Sequence, residues 1–222
     1  MPSKLEKFTE LDTFPNCRSF FFSQLERGFT LRGAWKKEQF NNDHPIVLEL
    51  GCGKGEYTIG LAEKHPEKNF IGVDLKGNRL WTGAKQALER NMQNVAFLRT
   101  RIDFIDHCFG PGEVDEIWIT FPDPQPQKTR ARQRLTHPIF LERYRKILKA
   151  GAVIHLKTDS TSLYQYSLDL VRELNYRLIW HSDHLYRDCP PEREELIRIK
   201  TYYEKLFSDK GENIKYLCFS LN

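Results

Sequence analysis

From residue 46 to residue 157, short apolar runs alternate with longer stretches in which apolar residues recur at helical spacing. The runs at 46–50, 69–75, 95–99, 116–121 and 153–157 have the length and the Val, Ile, Leu and Phe content of buried strands. Between them the spacing predicts helices over 56–65, 80–91 and 139–148. In the last of these, Phe140, Leu141, Tyr144, Ile147 and Leu148 form one apolar stripe, with a stop signalled by Lys146, Lys149 and Gly151. Strands separated by helices pair in parallel, so the pattern predicts an α/β fold with a doubly wound sheet. Runs at 176–181 and 214–221 add two late strands at one edge, the last antiparallel, for a seven-stranded, mostly parallel sheet. A segment rich in charge and aromatics, 192–207, lies between these two.

Residues 1–44 lack this rhythm. They mix Phe20, Phe21, Phe22 and Trp35 with Arg27, Arg32, Lys36 and Lys37, and so form an N-terminal extension to a domain spanning 45–222. Such a mixture suits either a cover over the core or a surface for nucleic acid.

Composition narrows the class. With 40% hydrophobic and 29% charged residues, the chain can bury a core and is not disordered. No apolar run approaches the roughly 20 residues of a membrane helix, and the polar N-terminus carries no secretory signal. The five cysteines are scattered, with no C-x-x-C pair, which predicts free thiols in a reducing, cytoplasmic setting and no zinc site. His181, His184 and Cys189 are the one loose grouping of metal-ligand types, and they read as ordinary half-buried loop residues. The net charge of +4 says little by itself. Its distribution says more, because no acid falls between Asp123 and Glu142 while Lys128, Arg130, Arg132 and Arg134 all do.

The first chemical signal is Glu49-Leu50-Gly51-Cys52-Gly53-Lys54-Gly55, an apolar strand running into glycines and then a helix. Gly51 and Gly53 permit a tight turn and leave room for a ligand against the backbone. Asp74 ends the next strand, where a carboxylate can accept hydrogen bonds from both hydroxyls of a ribose. A dinucleotide fingerprint would need glycine at the position of Glu56. The acid Glu49 just ahead of the loop instead favours a cationic ligand, and S-adenosylmethionine carries a sulfonium and an α-ammonium but no phosphate. NAD is the weaker fit.

The second signal follows the fourth strand, where Phe121-Pro122-Asp123-Pro124 holds an acid between two prolines. Ligands of open α/β sheets bind beyond the carboxyl ends of the strands, and prolines restrict the loop, so Asp123 is a candidate active-site acid. The cations that follow it, without acids among them, suit phosphates of a nucleic-acid backbone.

Together these residues resemble the bacterial-type tRNA (guanine-N7)-methyltransferases. The resemblance runs from Phe14 onward and rests on the 48–55 loop, on Phe121–Pro124 with its basic tail ending Arg134-Leu135-Thr136, on Lys157-Thr158-Asp159, and on Thr201-Tyr202-Tyr203-Glu204. It implies a Rossmann-like class I methyltransferase fold and methyl transfer from S-adenosylmethionine to guanine N7 in the tRNA variable loop. It also implies that Glu49 and Asp74 hold the methyl donor and that Asp123 is catalytic. Asp159 and Thr201 to Glu204 would contact the guanine nucleotide, Lys128 would help hold the tRNA, and Arg130, Arg132 and Arg134 would meet its backbone. No metal is implied, and the chain would act as a monomer or homodimer. The chain departs from the family pattern at three places. An adenine-side aspartate falls on Arg101, with Asp103 the nearest acid; Gln125 replaces a tryptophan; and Gln127 stands where a lysine is usual, with Lys128 beside it. The alternatives are a methyltransferase of another substrate on the same fold and a non-catalytic RNA-binding module.

Overall fold

A computed structural model describes residues 2–221. Its centre is a twisted sheet of β2 (Ile46–Leu50), β3 (Asn69–Asp74), β4 (Val95–Arg99), β5 (Val114–Thr120) and β6 (Leu148–Thr158), all parallel. At one edge β8 (Lys215–Ser220) runs antiparallel to β6 and to β7 (Arg177–Ser182), and the connection between β7 and β8 carries the short helix α7 (Leu185–Asp188) ahead of α8 (Glu195–Arg198) and α9 (Tyr202–Asp209). At the other edge β1 (Cys17–Ser19) pairs in parallel with β4, giving the order β1-β4-β3-β2-β5-β6-β8-β7. The sheet therefore has eight strands among the described residues, one more than the pattern predicts.

The extra strand comes from the N-terminal segment. Asn16 and β1 are drawn onto β4 by the Phe97 N–H on the Asn16 carbonyl (2.7 Å), and the Asn16 amide caps the Ala84 carbonyl at 3.0 Å. Phe20 and Trp35 are wholly buried in the core, so these two rings serve packing. The helix α1 (Lys4–Leu11) lies on α3 (Gly77–Glu89), where Glu10 accepts the Trp81 indole N–H at 2.7 Å.

Two apolar layers sandwich the sheet. On one face, α4 (Ile105–Cys108), α5 (Pro138–Arg145) and α6 (Thr161–Glu173) bury Ile105, Phe140, Leu141, Tyr144, Leu163 and Leu168. On the other face, α2 (Glu56–Lys64) and α3 bury Tyr57, Ile59, Leu61, Leu80 and Ala84. The predicted helix 139–148 ends at Arg145, because Leu148 already pairs with Val114 as the first residue of β6. Gly151 consequently lies inside that strand and does not cap the helix. No helix among the described residues is long and apolar enough to cross a membrane.

From β2 the chain moves outward through β3 and β4, then returns to place β5 on the other side of β2. That reversal opens a crevice at the carboxyl ends of β2 and β5, where this topology places ligands.

Candidate active site

The crevice is a cleft of about 690 Å³. Its first wall is the turn from β2 into α2. Gly51 and Gly53 adopt φ of +77° and +58°, a region that side chains disfavour. The Gly51 and Cys52 N–H groups both donate to the Val73 carbonyl, at 2.8 and 3.1 Å. Gly53 N–H donates to Asp74 Oδ2 at 2.9 Å, and Lys76 N–H to Asp74 Oδ1 at 2.8 Å. Asp74 is thus oriented by two backbone donors at the tip of β3.

Glu49 sits beneath this loop at 3% exposure. Its Oε2 accepts the Thr58 backbone N–H at 2.8 Å and the Thr58 hydroxyl, while Oε1 accepts the Thr120 hydroxyl at 2.5 Å. Burial pushes its carboxyl up to about 7, against the pull of the Thr120 and Thr58 bonds. A group so poised gains most from a cation placed beside it.

The second wall follows β5. Phe121 and Gln125 both take left-handed φ, +47° and +44°, on either side of Pro122-Asp123-Pro124. Such conformations cost about 1–3 kcal/mol each and persist where surroundings enforce them. Here the Phe121 N–H donates to the Lys157 carbonyl at 2.8 Å, and Gln125 N–H to Asp123 Oδ1 at 3.1 Å. The Arg134 guanidinium donates twice to the Gln125 carbonyl, at 3.3 and 3.1 Å, and stacks 4.4 Å from the Tyr166 ring. Asp123 itself is exposed.

The third wall combines the end of β6 with α9 (Tyr202–Asp209). Asp159 is half-buried; burial raises its pKa, while its own backbone N–H and Lys215 pull it down. Thr201 caps α9 by accepting the Glu204 N–H at 3.1 Å, and Tyr202 N–H donates to Glu56 Oε2 at 2.7 Å. Tyr202 and Tyr203 are exposed to the cleft, and Phe207 stacks between Tyr203 and Phe121, 6.4 Å from each. Glu49, Gly51, Gly53, Asp74, Asp123, Asp159 and Thr201 to Tyr203 therefore converge on one cavity.

A family model described as a putative methyltransferase matches residues 43–217. The tRNA (guanine-N(7)-)-methyltransferase of Porphyromonas gingivalis is 52% identical, over 95% of this chain and 86% of that protein. That of Christiangramia forsetii is 46% identical over 99% of this chain and 98% of its own length. The chain belongs to the tRNA (guanine-N(7)-)-methyltransferase family. Among solved structures, the 16S rRNA methyltransferase KamB superposes with a TM-score of 0.60 at 15% identity, covering 90% of this chain and 92% of that one. A geranyl diphosphate C-methyltransferase from Streptomyces coelicolor gives 0.52 at 16% identity, covering 90% and 79%. At these identities the likeness is one of fold, that of the class I methyltransferases.

Within this methyltransferase, several expected site residues lie elsewhere. Glu204 is wholly buried and paired with Lys157 at 2.7 Å, so its carboxylate cannot reach a base in the cleft. Arg134 is 8% exposed and engaged with Gln125 and Tyr166, which corrects its expected place on the RNA backbone. Arg101 and Asp103 pair with each other at 3.1 Å and are not part of the cleft wall. Lys128, Arg130 and Arg132 are exposed on a 3-10 turn, Lys128–Gln133, outside the cavity lining. His181 bonds the Tyr164 hydroxyl at 2.7 Å, and no cluster of three or more His, Cys, Asp or Glu among the described residues is placed to hold a metal.

Sequence reasoning missed Thr120, Lys54, Lys76, Arg79 and Phe207, all of which line the cleft. Lys54 had a signal, since it lies in the glycine loop already singled out, and Lys76 stands two residues after Asp74. Phe207 had none, because its place depends on how α9 brings it onto the Phe121 ring just past β5.

Proposed function

We propose that this chain transfers a methyl group from S-adenosylmethionine to N7 of a guanosine in the tRNA variable loop. The observation that carries this is the meeting of Glu49, Asp74, Asp123 and Asp159 in one cleft, in a chain with relatives named tRNA (guanine-N(7)-)-methyltransferase over nearly its whole length.

The cleft suits the cofactor. A Cβ built on Gly53 meets no heavy atom within 4 Å, and one on Gly51 only Leu135 Cδ1 at 3.9 Å, so the loop backbone lies open to a ligand. Glu49 faces the cofactor's amino-acid end, and Asp74, fixed by Gly53 and Lys76, receives the ribose hydroxyls. Bound there, the cofactor supplies an electrophilic methyl group on a sulfonium.

Guanine N7 bears no proton and presents an in-plane lone pair, so no general base is needed to make the nucleophile. Asp123 and Asp159 instead accept hydrogen bonds from N1–H and the exocyclic amine, fixing the purine's angle. Tyr202 and Tyr203 offer ring faces to an unstacked nucleotide, as proteins that read single-stranded RNA do. Residues 45–222 form the catalytic domain and 1–44 an extension that closes one sheet edge. The tRNA substrate and the five free thiols suit action in the cytoplasm.

Lys128, Arg130 and Arg132 engage phosphates at the rim. Replacing all three with alanine should flatten the slope of log K for tRNA against log salt by about 2 to 3, since each contact releases counterions. Anisotropy titrations measure it, and an unchanged slope would make the turn a merely solvated surface. The activity itself is tested by incubating the protein with labelled S-adenosylmethionine and bulk tRNA, then digesting to nucleosides. Label is expected in 7-methylguanosine; label in another nucleoside, or none, defeats the proposal.

A further inference from the structure

A lysine ammonium is buried behind the base-facing wall. Lys157 lies on β6 with its side chain 0% exposed, as is that of Glu204 opposite. Its three N–H donors meet three acceptors: the Glu204 carboxylate at 2.7 Å, the Ile199 carbonyl at 3.4 Å and the Leu196 carbonyl. The two carbonyls come from α8 (Glu195–Arg198) and the residue after it, and the carboxylate comes from the first turn of α9. The ammonium therefore grips the chain on both sides of Lys200–Tyr203. Tyr186 adds a hydroxyl bond to the same Glu204 oxygen at 2.6 Å, and the Tyr57 ring lies 5.2 Å from the ammonium.

The same residue reaches the other walls. Its backbone carbonyl receives the Phe121 N–H that holds the Asp123 turn, and two residues further on the chain delivers Asp159. The segment so gripped cannot hold itself, because α8 is a single four-residue turn, and isolated turns are unstable in water. Leu196 and Ile199 pack beneath it, at 2% and 8% exposure, and apolar contact is non-directional. Its outer polar ties, Glu195 to His65 at 2.7 Å and Tyr202 N–H to Glu56 at 2.7 Å, face solvent, whereas the ammonium's bonds are wholly buried.

Stability is a poor explanation for this pair. Removing two charges from water carries a large desolvation penalty, and well-packed apolar residues in their place are often neutral or stabilising. What the ammonium adds is direction, because each of its three donors fixes one acceptor. We propose that Lys157 is a positioning residue for methyl transfer, its buried ammonium setting the placement of Thr201–Tyr203 against the guanine. This rests on the assignment of Thr201–Tyr203 to the base.

The test is the double variant Lys157→Met/Glu204→Leu, which removes the pair without leaving a lone buried charge. It should fold, bind S-adenosylmethionine within threefold of wild type, and lose about 100-fold in kcat on tRNA, since a displacement of about 1 Å costs that much. Hydrogen exchange should quicken at 196–204 and nowhere else. A folded double variant that binds cofactor and keeps kcat within threefold overturns the proposal, because a purely structural pair would move the melting temperature and not the turnover. If the double variant aggregates, Tyr186→Phe removes only the outer bond to Glu204. It should lower kcat several-fold with KM for S-adenosylmethionine unchanged, and an unaltered kcat then counts against Lys157. Tyr203→Ala separates the two layers. If it leaves kcat/KM for tRNA intact, the base assignment fails; if it lowers kcat/KM while the pair variants do not, only the positioning role fails.

Discussion

Asp123→Ala is expected to lower kcat by about a thousandfold throughout the neutral pH range, where the carboxylate is ionised and guanine keeps its N1–H, with affinity for S-adenosylmethionine within about threefold of wild type. The size follows from what holds the carboxylate. Two left-handed non-glycine residues, the Phe121 bond to Lys157 and the Arg134 clamp on Gln125 fix the turn before any substrate arrives. An orientation so prepared costs nothing at the moment of reaction, and its loss frees the purine to rotate N7 out of line. The pH independence follows from the nucleophile, which has no proton to remove. Single-turnover rates across that range measure it. A loss confined to low pH, with recovery at high pH, would instead show that Asp123 acts as a base. Asp123→Asn, which keeps one acceptor oxygen, should fall between alanine and wild type.

Glu49→Gln should show the second large effect, and in two opposite directions. In the wild type, burial holds the carboxyl near 7, and only its ionised form attracts the cationic end of the cofactor. Affinity for S-adenosylmethionine should therefore rise about tenfold per unit as pH approaches 7 from below, then level off. The glutamine variant should bind 10- to 100-fold more weakly at pH 8, consistent with about 1.5–3 kcal/mol for a charge-assisted bond, and should show no such rise. Stability moves the other way. A carboxyl whose pKa is raised in the fold stabilises it below the ordinary value of 4.5, and that contribution is lost as pH rises through about 7. Above pH 7 the ionised, buried Glu49 therefore weighs against the cofactor-free protein by an amount on the order of 3 kcal/mol. Glutamine should relieve this, so the variant should melt higher than wild type at pH 8 while binding less. Calorimetric titration and thermal melts on the same samples check both signs. A variant that binds as tightly as wild type removes Glu49 from the cofactor site.

The parallel core was legible because buried strands and amphipathic helices leave opposite periodicities, and 46–50 and 95–99 match β2 and β4 residue for residue. The glycine turn and Asp74 were legible because backbone geometry demands particular residues there. What was hidden depended on contacts far apart in sequence. Strand β1 has three residues and exists only because β4 offers a free edge, so no local pattern marks it. Glu204 follows two exposed tyrosines and looks like part of the same polar surface. Helical geometry turns it inward by half a turn, onto a lysine 47 positions earlier whose burial nothing local reveals. Arg134 looks like the last of four equivalent cations. It differs because Tyr166 and the Gln125 carbonyl lie within reach, and both are set by tertiary packing.

The central claim is that the cleft recognises guanine by its N1–H and amine edge while offering N7 to the methyl donor. It is tested most directly with a tRNA whose variable-loop guanosine is replaced by 7-deazaguanosine, which keeps that edge and lacks N7. The expected result is binding within about threefold of unmodified tRNA and no methyl transfer at all. Methylation of the substituted tRNA, or loss of its binding, would contradict the assignment of acceptor atom and recognition edge.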